Sequence, residues 1–122
     1  MDNFWKDLKY FKKSEFDCPC CGRNEMTRGF MLMLEKAREI AGIPFIITSG
    51  FRCEKHNKEV GGKPTSDHLS GEGADIKVVN STARELIDSA AAKAGIRRRG
   101  IARTFIHLGN CYKNPHPALW LY

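Results

Sequence analysis

A small α+β domain, an antiparallel sheet with flanking helices, is the fold class this sequence predicts. Three observations lead there. Two segments space their apolar residues as amphipathic helices do. About four short segments are β-branched or alternate apolar and polar residues. Consecutive strands lie close in the chain, which favours neighbours in an antiparallel sheet. With 122 residues, the chain suffices for one core, so residues 1–122 read as a single domain.

Residues 1–17 are mixed and aromatic, with Phe4, Trp5, Tyr10, Phe11 and Phe16, and are expected to wrap the domain as a short helix or extended arm. Residues 27–41 form the clearest helix. Phe30, Met33, Leu34, Ala37 and Ala41 make its apolar side, Glu35, Lys36, Arg38 and Glu39 its polar side, and Gly42 and Pro44 stop it. Phe45 to Thr48 read as a buried strand closed by Ser49-Gly50. Residues 51–71 are rich in Gly, Lys, His and Asn and predict a long loop with one helical turn, a length that usually signals function. Ala74 to Val79 form a second strand. Thr82 and Glu85 read as a capping box for a helix through Leu86, Ile87, Ala90 and Ala91 to Gly95. The basic run Arg97-Arg98-Arg99 reads as a solvated turn, Ile101 to Leu108 as a third strand, and Ala118 to Tyr122 as a terminal strand.

Charge and cysteine usage narrow the function classes. A formal net charge of +6 makes an anionic partner plausible, whether nucleic acid, a cell-wall polymer or a membrane surface, without choosing among them. Since the arginine run reads as solvated, no specific nucleic-acid partner is expected. No apolar stretch approaches the roughly 18 residues of a membrane helix, and none at the N-terminus has a signal-peptide core. The expectation is synthesis in the cytoplasm with reduced thiols, no membrane partner, and a monomer as the default at this size. The five cysteines are Cys18, Cys20, Cys21, Cys53 and Cys111. The dense run Cys18-Pro19-Cys20-Cys21-Gly22 reads either as a zinc knuckle, completed by Cys53 or Cys111, or as buried or locally paired thiols.

The segment Ser66-Asp67-His68-Leu69-Ser70-Gly71-Glu72-Gly73-Ala74-Asp75 carries the chemistry. His68 lies seven residues before Asp75, in the loop leading into the strand that holds Asp75. Gly71 and Gly73 let the chain between them fold back tightly. His107 sits near the end of a later strand. If that strand pairs with the one carrying Asp75, two imidazoles and a carboxylate converge as in a catalytic zinc site with an open position for water. Polar loop residues and an internally satisfied histidine are the alternative reading.

The ordered string Ser49-Gly50-Phe51-Arg52-Cys53, His56-Asn57, Val60-Gly61-Gly62, Ser66-x-His68-x-x-Gly71-x-x-Ala74-Asp75 resembles the M15 family of zinc D-Ala-D-Ala carboxypeptidases and L-Ala-D-Glu endopeptidases. The likeness is to its small phage and bacterial branch. Ser14-Glu15-Phe16-x-Cys18, Phe105-Ile106-His107 and Trp120-x-Tyr122 fit the same pattern, so the resemblance runs from about residue 11 to 122. It implies a sheet architecture shared with the hedgehog signalling domain. It also implies Zn2+ held by His68, Asp75 and His107. Arg52 would contact the substrate carbonyl or carboxylate, and Ser66 would border the cleft, unless these two serve as a loop ion pair and a turn hydroxyl. His56 and Asn57 are expected to fix the loop. The implied substrate is the peptide stems of bacterial peptidoglycan, reached by phage delivery or by release through the host membrane.

The sequence departs from that family at the proton-transfer group. Its usual carboxylate stands three residues before the last histidine, where this chain has Thr104, or in many of the branch two residues after it, where this chain has Gly109. Gly73 stands where the branch commonly has alanine. Substitutes for the missing base are Glu72, Asp67 or His116, with His116 between two prolines reading as a surface loop residue. The remaining outcomes are slow catalysis with zinc and Arg52, or a catalytically weak or inactive metal-stabilised binding or virion module.

Overall fold

A computed structural model describes residues 3–122 of the chain; the first two residues of the expected N-terminal arm lie outside this range. Three α-helices, α1 (Arg28–Ala41), α2 (Glu54–Glu59) and α3 (Ser81–Ala94), accompany five strands. The strands are β1 (Ile47–Ser49), β2 (Gly73–Lys77), β3 (Arg98–Ile101), β4 (Phe105–Gly109) and β5 (Ala118–Leu121). They form one open sheet in the order β1-β2-β4-β3-β5. The α+β class is as expected, with one difference: the sheet is mixed. Three neighbour pairs are antiparallel, but β5 runs parallel to β3. Residues 110–117 carry the chain from the end of β4 past β3 to its far side, so β5 enters in β3's direction.

Side chains alternate across a strand. Ala74 and Ile76 of β2 and Ile106 and Leu108 of β4 are fully buried in one apolar cluster with Phe30 and Leu34 of α1 and Ile87 of α3. Each large apolar side chain so buried contributes about 1.5–3 kcal/mol. The helical side of the sheet is therefore the core, and the opposite side is left to Gly73, Asp75, His107 and Gly109. The aromatic arm does wrap the domain. It makes two 3-10 turns, Phe4–Asp7 and Lys13–Glu15, and buries Phe4, Phe11 and Phe16. The Phe16 carbonyl accepts the Phe51 N–H at 2.9 Å, tying the arm to the chain just before Arg52.

Several boundaries move for identifiable reasons. Thr27 caps α1 by accepting from the Phe30 N–H. Asn80 caps α3, accepting from the Ala83 N–H at 2.8 Å, so Thr82 and Glu85 lie inside the helix and not at its cap. The first strand starts later than expected, at Ile47, and the second ends at Lys77. The arginine run is not a solvated turn. Arg98 and Arg99 lie in β3, where Asp67 receives Arg98 and Asp88 receives Arg99 at 2.7 Å. The expected third strand is thus two strands joined by a turn at 102–104.

Candidate metal centre

Strand register assembles the site. Ser49 pairs with Asp75, Asp75 with His107, His107 with Gly100, and Gly100 with Trp120. One transverse row across all five strands therefore sets these residues side by side. The expected pairing of the Asp75 and His107 strands is present, with the two residues directly opposite one another. His68 reaches the same point from the loop before β2.

The three donors converge. His68 Nε2 lies 3.2 Å and His107 Nδ1 2.9 Å from the same oxygen, Asp75 Oδ1. The donor atoms of His68, Asp75 and His107 all lie within 4.8 Å of one another, and all three residues are buried. The second nitrogen of each ring is occupied elsewhere. His68 Nδ1 is 2.7 Å from the Gly50 carbonyl, so it donates there, and His107 Nε2 is 2.7 Å from Asp67 Oδ2. Each imidazole thus turns its remaining nitrogen toward Asp75. Two oriented imidazoles and one carboxylate are a donor set that fits a divalent ion of the zinc class.

Electrostatics follows from this crowding. Burial would raise the Asp75 pKa, but hydrogen bonds from His107 and His68 outweigh it and hold the carboxyl well below the usual range. Burial opposes charge on His107, yet Asp67 and Asp75 together raise its pKa above the ordinary value. Asp67 is likewise held low, burial being overcome by His107 and Arg98.

Asp67 is not available as a base. Its oxygens accept from His107, from Arg98 Nε at 3.1 Å, from the Cys111 N–H at 3.0 Å and from Asn114 Nδ2 at 3.3 Å. Only 2% of the residue is exposed. Glu72 and His116 do not join the three donors either, and His116 Nδ1 meets the Asn114 carbonyl. Thr104 is exposed in the turn before β4.

Both glycine departures border Asp67. A Cβ on Gly109 would stand 2.2 Å from Asp67 Oδ2, and one on Gly73 would stand 2.6 Å from Asp67 Cβ. The missing side chain at 109 leaves the space in which the Asp67 carboxylate meets His107. Sequence reasoning missed this partnership. The available signal was an aspartate beside a candidate ligand histidine, together with a glycine at a position where the branch carries a carboxylate.

Arg52 flanks the donors. Its guanidinium donates to Ser49 Oγ at 3.1 Å, Asn57 Oδ1 at 3.4 Å and Asp75 Oδ2 at 3.5 Å. Asn57, as expected, fixes the loop, its amide also donating to the Lys63 carbonyl. Ser66 is half-buried, and its hydroxyl accepts the His68 N–H, so it shapes the turn that delivers His68. On the other flank the Trp120 ring stands 5.7 Å from that of His107, and Tyr122 packs 5.1 Å from Phe105. Tyr122 itself is largely exposed. The apolar groove between Ile43, Ile46, Val79 and Leu86 contains none of these residues.

A family model described as Peptidase M15 matches residues 9–109. No curated protein matches the chain. The chain belongs to the peptidase M15 family, whose members are metal-dependent peptidases.

Proposed function

We propose that this M15 member is a zinc peptidase that cleaves the peptide stems of bacterial peptidoglycan, as a carboxypeptidase or endopeptidase. The observation that carries the reading is the convergence of His68, Asp75 and His107 beside Arg52, in a chain of that family. His68 Nε2, Asp75 and His107 Nδ1 would hold the ion. Zinc in such a set, when bound, activates water for attack at neutral pH and polarises the scissile carbonyl.

The chain's own groups do the rest. Gly50 and Asp67 fix the tautomer and orientation of the two imidazoles, so the donors need no rearrangement. Of the five N–H donors of Arg52, three meet Ser49, Asn57 and Asp75, which leaves two for a substrate carboxylate or a developing oxyanion. Ser66 borders the cleft through the turn it holds. Trp120 walls the site and shields His107 from water. The net charge of +6 suits an anionic wall matrix. In this reading the chain acts on the wall as a monomer, delivered by a phage particle or released through a host membrane.

A second reading, a metal-stabilised wall-binding or virion module without hydrolysis, is favoured by Thr104 and Gly109 at the carboxylate positions and by the saturation of Asp67. Muropeptide release from purified walls separates the two. The peptidase releases stem fragments, loses that release in chelator, regains it with Zn2+, and falls to background as His68→Ala. Stoichiometric zinc with no release from walls of any stem chemistry overturns the peptidase in favour of the module.

A further inference from the structure

A second cluster of soft ligands lies in the aromatic arm. The run Cys18 to Arg23 closes on itself, with the Cys18 N–H donating to the Arg23 carbonyl at 2.7 Å and the Gly22 N–H to the Cys18 carbonyl at 2.8 Å. Gly22 closes the turn at φ 77, a conformation that disfavours any Cβ. The turn brings Cys21 next to Cys18, and Cys53 arrives from 35 residues further on. The Cys18 and Cys53 sulfurs are 3.6 Å apart, and all three sulfurs lie within 4.8 Å of one another. Thiolates about 2.3 Å from a tetrahedral ion stand roughly 3.8 Å apart, whereas bonded sulfurs stand at about 2.05 Å. The Cys18–Cys53 separation is close to the former and far from the latter, so the two are free thiols at ligand distance.

The backbone around the sulfurs is arranged for anions. The N–H groups of Cys20, Cys21 and Cys53 point at the Cys18 sulfur, that of Arg23 at the Cys21 sulfur, and that of His56 at the Cys53 sulfur at 3.4 Å. Burial alone would raise the Cys18 thiol, but the donors facing it lower it to about 7, toward the ligating thiolate; at Cys21 the Arg23 N–H is outweighed by burial and by the Cys53 and Cys18 sulfurs, which raise it. Cys18 and Cys53 are buried while Cys21 is exposed, so an ion has a way in. Cys111 takes no part: its N–H faces Asp67 at the other centre.

We propose that Cys18, Cys21 and Cys53 hold a second, structural divalent ion of the zinc class. Binding displaces the three thiol protons to solvent. The ion would clamp the N-terminal arm to the loop that aims Arg52. Cys53 directly follows Arg52 and caps α2, and α2 carries the Asn57 that receives Arg52.

Cobalt(II) tests this under reducing conditions, with metal-stripped His107→Ala, which lacks a ligand of the first centre. One equivalent of Co2+ is expected to raise a sulfur-to-cobalt charge-transfer absorption, which Zn2+ displaces. The band is lost when Cys21→Ser is added, a change at an exposed position. Should His107→Ala fail to fold, the wild-type chain serves: it takes up two equivalents, and alkylation of Cys18, Cys21 and Cys53 slows as the sulfur band grows. Five free thiols with no sulfur-to-cobalt band overturn the proposal, and so does a Cys18–Cys53 disulfide in freshly isolated protein.

Discussion

Asp67 meets four donors, and one of them is the imidazole that presents its other nitrogen to Asp75. A carboxylate behind a ligand histidine fixes the ring and raises its basicity, and losing such a partner typically costs 10–100-fold in metal affinity. Asp67→Asn keeps the shape but removes the charge facing His107 and Arg98. Zinc affinity, measured by competition with a chelating dye, should fall by about that factor. A purely structural Asp67 would instead lower thermal stability equally with and without metal, leaving affinity unchanged. The three donors were legible in the sequence from residue type, spacing and resemblance. The role of Asp67 was not, because it depends on a glycine 42 positions later that lies beside it only once β2 and β4 have paired.

At the scale of the element, a row of pairings stands where spacing alone suggested a point. Ser49, Asp75, His107, Gly100 and Trp120 lie across the sheet in register, so a slip of one residue in any strand would send that side chain to the core face. Gly100 is the tightest link. A Cβ there would stand 2.5 Å from the Trp120 ring, so the indole lies flat across β3 toward His107 only because position 100 has no side chain. Gly100→Ala should displace Trp120 and destabilise the fold by about 1–3 kcal/mol, as overpacking does. A denaturant midpoint lowered at constant slope would register this, and amide exchange should quicken more in β5 than in β1. An unchanged midpoint with unchanged β5 protection would remove Trp120 from the site's wall. The helices were legible because amphipathic spacing is local. β3 was not: Arg98 and Arg99 look solvated until Asp67 and Asp88, 31 and 11 residues before them, are brought alongside.

For the molecule as a whole, the candidate centre couples stability to pH and to metal in opposite directions. Without metal, His107 has a folded pKa raised above its ordinary 6.5. Its contribution to stability is therefore complete below that value and is lost as pH rises through the higher folded one. Asp67 and Asp75 are depressed below 3.8, so theirs is complete above it and is lost as pH falls through the lower folded values. The metal-free chain should be most stable between these limits. A divalent ion needs His107 without its proton, so binding competes with protonation and strengthens as pH rises. Melting curves recorded with chelator and with zinc should hence diverge from about pH 6 to 8, the chelated midpoint falling while the gap widens. His107→Ala should flatten the chelated curve over that range and remove the part of the widening owed to this centre; with Cys21→Ser added, which removes the cysteine site and the thiol protons zinc displaces there, the widening should vanish. A gap that stays constant across this range in the wild-type chain would mean that zinc does not displace the His107 proton, and the ion would then have to sit elsewhere.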